Sequence, residues 1–137
     1  MGIVRTEITL KNAKDVSNAQ EGIIKDSEIH QTTVTAIVDT GAGTLVINEA
    51  IRQKLGLKIQ GKRRATLADG AASYYDVTEP VSVHWKNRDS ACKAYVLPNS
   101  NNVLLGAIPL EDMDLIVHPK NLELVGAHGD EIMQLIC

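Results

Sequence analysis

With 137 residues the chain has the length of one domain, and a domain of that size buries roughly two thirds of its unfolded surface. Its apolar fraction of 44% and charged fraction of 23% are those of a globular protein, yet there is no Phe and aromatics are only 3%, so Val, Ile, Leu and Ala must fill the core. A net charge of −3, with Lys62-Arg63-Arg64 as the only dense basic run, argues against nucleic acid as a partner.

In chain order, Val4, Thr6, Ile8 and Leu10 alternate with Arg5, Glu7 and Thr9, the period of a half-buried strand. Polar "KNAKDVSNAQ" reads as a loop. Residues 22–25 and 29–38 are predicted extended, the second rich in β-branched Thr, Val and Ile and ending at Asp39. After Leu45-Val46-Ile47, Asn48 is placed to cap a short helix, "EAIRQKL", which Gly56 stops.

"RRATLADGAASYYDV" predicts two extended arms around the turn dipeptide Asp69-Gly70. Val81, Val83 and Trp85 predict a strand that turns at Asn87-Arg88 into a second one over Ala91 to Leu97. "VLLG" reads as a buried strand, Pro109 suits the first turn of a short helix through Met113, and "DLIV" and "LELV" are strands about His118-Pro119-Lys120-Asn121. Eight or nine short strands and two small helices make the expected fold mainly β, with a closed or barrel-like sheet in one domain, 1–137.

The remaining composition sets further limits. Cys92 and Cys137 form no CxxC pair or ligand cluster, which indicates neither a disulfide framework nor a zinc site and fits a reducing, cytoplasmic setting. No apolar run approaches the roughly 20 residues that span a bilayer, and the N-terminus lacks a signal-peptide pattern, so no membrane association is expected. Met1-Gly2 with Thr6 meets the loose myristoylation pattern, but Gly2 leads straight into a strand and chance is the better reading. His30, His84, His118 and His128 sit in different segments without metal-ligand spacing, so structural roles, no metal and no cofactor are expected. Glu111, Asp112 and Asp114 read as a solvated helix face.

One acid stands apart. Asp39 follows Ala36-Ile37-Val38 and precedes Thr40, Gly41, Ala42 and Gly43, so little in its own segment could pair with it. An acid before glycines commonly starts a turn, which is the plainest reading. However, Val38-Asp39-Thr40-Gly41-Ala42 followed by Leu45 and Ile47 resembles the active-site loop of aspartic peptidases. The likeness extends to a helix, a flap-like hairpin at "LADGAAS" and a late "VLLGAIPLEDMDLIV", in the order of the retroviral-type, single-domain members, over roughly residues 30–125. A Met-Gly opening strand and "LADG" make the chain look most like the small cellular and prokaryotic branch of that retropepsin-like group.

That resemblance implies an acid-protease β-barrel acting as a C2 homodimer, with Asp39 catalytic and Thr40, Gly41 and Ala42 supporting the loop. It further implies a flap of Leu67, Ala68, Asp69, Gly70 and Ala71 that closes on a peptide or protein substrate in extended form. Tail residues 126–137, with Ile132, Met133, Leu135 and Ile136, could enter the dimer interface. Two features depart from the group: Gly43 stands where many members have a polar residue, and Ala107 follows Gly106 where retroviral members carry Arg.

The chemistry can be argued independently. Peptide hydrolysis needs an activated water and an acid for the departing amine, and two carboxylates sharing a proton supply both. Two unit charges about 3 Å apart at an effective dielectric of about 20 repel by about 5 to 6 kcal/mol, so such a pair retains one proton. One Asp-Thr-Gly in 137 residues leaves the second acid to a second copy. The expected function is therefore an aspartic endopeptidase, with apolar cleft walls from residues such as Leu67, Ile108 or Ile47. Two other classes compete: a catalytically silent dimeric peptide-binding module of the same fold, and a nucleotide phosphate-binding loop protein, which "VDTGAGT" also resembles but for which the chain is short.

Overall fold

The structure, a computed structural model, describes residues 2–67, 69–134 and 136. In chain order its elements are β1 (Arg5–Asn12), α1 (Ala13–Gln20), β2 (Gln31–Val38), β3 (Leu45–Ile47), α2 (Glu49–Lys54), β4 (Ile59–Thr66) and β5 (Ala72–Thr78). There follow β6 (Val81–Trp85), β7 (Arg88–Cys92), β8 (Ala94–Val96), β9 (Leu104–Leu105), α3 (Ala107–Asp112), β10 (Leu115–His118) and β11 (Glu123–Gly126). Among the described residues no helix is long and apolar enough to cross a membrane.

Alternation builds β1 and β6. Ile8, Leu10 and Asn12 of β1 are buried while Glu7 is exposed, and Val81, Val83 and Trp85 of β6 face the same core. That core is aliphatic, with Ile8, Leu10, Leu45, Ile47, Leu55, Leu57 and Leu105 essentially sealed from water. Its one Trp, Trp85, is buried with its indole N–H donating to Thr6 Oγ1 at 2.8 Å.

Nine strands form one sheet in the order β4-β5-β8-β3-β9-β2-β1-β6-β7, and β10 pairs with β11 in a separate hairpin. No closed barrel is detected: β4 and β7 are open edges of the nine-stranded sheet among the described residues. The reason lies at β7, which packs against α3, while Arg88 at its start is bonded to the residues that end that helix. Two-residue β9 is wedged between β2, to which it runs parallel at Ile37↔Leu104 and Val38↔Leu105, and β3, to which it is antiparallel at Val46↔Leu104. The loop 39–44 therefore passes over the end of β9.

Several expectations change. "KNAKDVSNAQ" is not a loop: β1 runs through Asn12 and α1 follows, started by Asn12 Oδ1 accepting from Lys14 N (3.0 Å) and Asp15 N (3.2 Å). The same amide donates to Leu55 O at 3.0 Å, so one buried Asn joins the start of α1 to the end of α2. Residues 22–25 are turns and bends rather than extended. The turn after β6 falls at Lys86, whose φ is 49°, and Asn87, and the strand beyond it breaks at Lys93 into β7 and β8. α2 forms as expected, with Asn48 Oδ1 accepting from Ile51 N at 2.9 Å and Gly56 at φ 62° closing it.

Arg88 is 3% exposed. Its guanidinium donates to Met113 O (2.7 Å), Asp114 O (2.9 Å), Gly129 O and Glu131 O, tying the segment after β11 to the end of α3. Replacing it by Met would leave buried carbonyls without donors, and Arg88→Met is expected to lower stability by about 2–4 kcal/mol in urea unfolding. A loss below about 0.5 kcal/mol would mean that water already serves those carbonyls.

The tail is also held through Asp114, whose Oδ2 accepts from His128 Nδ1 at 2.7 Å and Met133 N at 3.1 Å. The His128 bond first, then the Met133 amide, hold the Asp114 carboxyl below its usual value of 3.8. A depressed carboxyl stabilises the fold above its unfolded value, and the contribution is lost as pH falls through its folded value. The Met133 amide resonance is therefore expected to hold steady down to about pH 4 and move only below it. A resonance that stays fixed well below about pH 3 or moves far above about pH 4 would overturn this reading of Asp114.

Candidate active site

β2 ends at Val38, and its hydrogen bonds continue into the loop: Asp39 N–H donates to Leu105 O at 3.0 Å. Asp39 Oδ1 accepts from Gly41 N at 2.9 Å, and Asp39 O accepts from Ala42 N at 3.1 Å, so the acid closes a tight turn on itself. A Cβ at Gly41 would sit 3.2 Å from Oδ1, crowding that bond. From the other side, Ala42 O accepts from Ala107 N (2.8 Å) and Gly43 O from Ile108 N (3.1 Å). The start of α3 thus holds the loop from behind.

This turn alone would satisfy the plain reading of Asp39. What it leaves over is decisive: Oδ2 has no hydrogen-bond partner among the described residues, and the half-buried acid lines a groove of about 440 Å³. The floor and ends of the groove are Gly41, Ala42, Gly43, Thr44, Val46, Leu97 and Leu104; its roof is Ala65, Thr66 and Leu67 of the β4 arm with Tyr75 and Tyr95. Asp39 is the only acid among these residues. A Cβ at Gly43 would meet nothing within 4 Å, so its absence opens the groove rather than relieving a clash.

The roof is the hairpin of β4 and β5, paired from Ile59↔Thr78 to Thr66↔Ala72. At its tip Asp69 Oδ1 accepts from Ala71 N at 2.9 Å, and Gly70 takes φ 87°, a conformation that favours glycine. Of the expected flap residues Leu67 lines the groove, Asp69, Gly70 and Ala71 form the exposed tip beyond it, and Ala68 lies outside the described residues.

Thr40 does not share Asp39's groove. It is exposed and lines a second hollow of about 370 Å³ with Ala107, Leu110, Glu111, Leu115 and Ile116. Ile47, expected in the cleft wall, is fully buried in the core, and its neighbour Val46 takes that place. Ile108 is 55% exposed and lies beyond Thr44 rather than over Asp39. The wall residues that sequence reasoning missed, Tyr75, Tyr95, Leu97 and Leu104, arrive from β5, β8, the position just after β8, and β9; the Val46↔Tyr95 pairing could have placed one of them had the strand order been known.

No group of three or more His, Cys, Asp or Glu is placed to hold a metal among the described residues. The histidines have local partners: His30 on Asp15, His84 on Ser82, His128 on Asp114, and His118 accepting from Asn121 N. Burial, then Lys11, holds His84 below its usual value of 6.5. Burial likewise pushes the Cys92 thiol up, which keeps it protonated and unreactive.

The site is thus an acid on a glycine-rich turn beneath a β-hairpin, in a mainly β chain. Residues 26–108, more than half of the chain, match a family model described as an aspartyl protease, of retropepsin-like type. The chain belongs to that family. No curated protein matches the chain.

Proposed function

We propose that the chain is an aspartic endopeptidase acting as a C2 homodimer, in which Asp39 and the partner subunit's Asp39 share one proton and activate the attacking water. The observation that carries this reading is the unpartnered Oδ2 of Asp39 as the only acid in a groove roofed by the β4–β5 hairpin. One carboxylate in that groove cannot both take a proton from water and give one to the leaving amine, so the second acid comes from a second copy.

Each residue then has a task. Gly41 N–H, 2.9 Å from Oδ1, orients the carboxylate and leaves Oδ2 toward the groove. Thr40, exposed beside the acid and outside its groove, faces the second copy, where its hydroxyl holds the two loops in register. The extended substrate lies between loop and hairpin, adding its backbone to the β4 arm as a further strand, with Leu67, Val46 and Leu104 against its apolar side chains. The Asp69-Gly70 tip folds down to exclude water from the dyad.

The test is cleavage of a peptide library from about pH 3 to 7 by a chain whose association is followed by sedimentation, beside Asp39→Asn. The expected result is cleavage that rises with dimer fraction and is absent from the variant. A confirmed dimer that cuts nothing, or a variant that cuts equally well, overturns the reading in favour of a silent peptide-binding module.

A further inference from the structure

Next to the groove of Asp39, and sharing Thr44 and Tyr95 with it, lies a second depression of about 230 Å³. It is lined by Arg63 of β4, Val77 of β5, Ala91, Cys92, Lys93 and Ala94 of the β7–β8 corner, and Ile108. Its two charged residues, Arg63 and Lys93, are both cationic, and they come from different elements, β4 and the β7–β8 corner.

Three features set these cations apart from a scatter of surface charge. Arg63 is paired across the hairpin with Tyr75, so it shares the face of β4 that roofs the groove. Of the hairpin's two acids, Asp69 lies at the exposed tip and Asp76 is paired with Lys62 on the other face, where the two meet at 2.9 Å. Lys93 in turn is fixed to the active-site loop, because its carbonyl accepts from Thr44 Oγ1 at 2.9 Å. Among the described residues neither Arg63 nor Lys93 has a carboxylate within salt-bridge distance. Asp112 is near enough to weigh on the Cys92 thiol but does not line the depression. In a chain of net charge −3 this is a local reversal of sign, in a depression that shares Thr44 and Tyr95 with the groove of Asp39.

We infer that the Arg63–Lys93 depression is a specificity subsite that takes an acidic side chain, Asp or Glu, of the peptide held over Asp39. The inference rests on the proposed peptidase reading and adds a substrate class to it. A carboxylate there lies between the two cations over a wall of Val77, Ala94 and Ile108 that receives its methylenes. Both cations are exposed, so the preference is moderate and weakens with salt.

The test uses peptides that differ only in Glu against Gln at each position in turn, at about pH 6, where a Glu side chain is ionised. They are offered for cleavage to the wild-type chain and for binding, by fluorescence anisotropy, to Asp39→Asn. At one position the Glu peptide is expected to exceed its Gln twin about three- to tenfold in kcat/KM and in affinity. Arg63→Glu with Lys93→Glu, two exposed substitutions, should reverse that order and favour Lys at the same position. Equal handling of Glu and Gln at every position, a preference that survives the double reversal, or no peptide binding at all overturns the assignment. Glu-selective binding by a wild-type chain that cuts nothing keeps the subsite and removes the peptidase.

Discussion

An equimolar mixture of wild-type and Asp39→Asn chains, allowed to exchange subunits at fixed total concentration, is expected to keep about a quarter of the activity of wild type alone. Random pairing gives about one wild-type dimer in four, and a mixed dimer carries a single carboxylate beside an amide that cannot take its proton. A peptidase complete within one chain would keep about half. Asp39→Asn alone should fall by at least about 10²–10⁴, the range that positioned proton transfer contributes. The fold should be unaffected, because the asparagine side-chain oxygen can still accept from Gly41 N–H, the bond Oδ1 now makes. Retention near one half in a verified, exchanging dimer would dissociate dimerisation from catalysis.

Gly106→Ala is expected to be strongly destabilising. A Cβ at Gly106 would lie 2.6 Å from Ala42 O and closer still to Thr44 O, both backbone atoms. They cannot step aside cheaply, since Ala42 O is engaged by Ala107 N and Thr44 sits at the start of β3. Overpacking a settled interior costs about 1–3 kcal/mol where side chains can adjust, and here at least the upper figure is expected. Urea unfolding should show a midpoint lowered by about 3 kcal/mol at unchanged m, with peptide cleavage lost in parallel. A loss under 1 kcal/mol would mean that the loop and α3 can separate without consequence.

The sequence was legible where structure is local. β1, β2 and β6 alternate over enough residues to show a face, and Asn48 with Gly56 brackets α2 from both ends. Asp39 stood out because its neighbours are small and its motif ordered. α1 was hidden because none of its residues is buried, which removes the period that announces a helix and leaves only the Asn12 cap. Ile47 was misplaced because β3 is three residues long and wholly buried, so alternation cannot say which side faces the groove. Tyr75 and Tyr95 were invisible as wall residues since they meet only through the pairing β5-β8-β3, and strand order is not a local property.

The two residues of β9 carry a consequence for the life of the chain before it is finished. Asp39 N–H reaches its carbonyl partner only on Leu105 and Ile37 N–H reaches its own on Val103, both far along the polypeptide. Such distant pairs close late, after the entropy of the intervening loop has been met. A nascent chain emerging from a ribosome would therefore hold its acid on an unsupported loop until residue 106 had appeared and β9 had slipped between β2 and β3. The order of synthesis itself then sets when the loop of Asp39 gains its support.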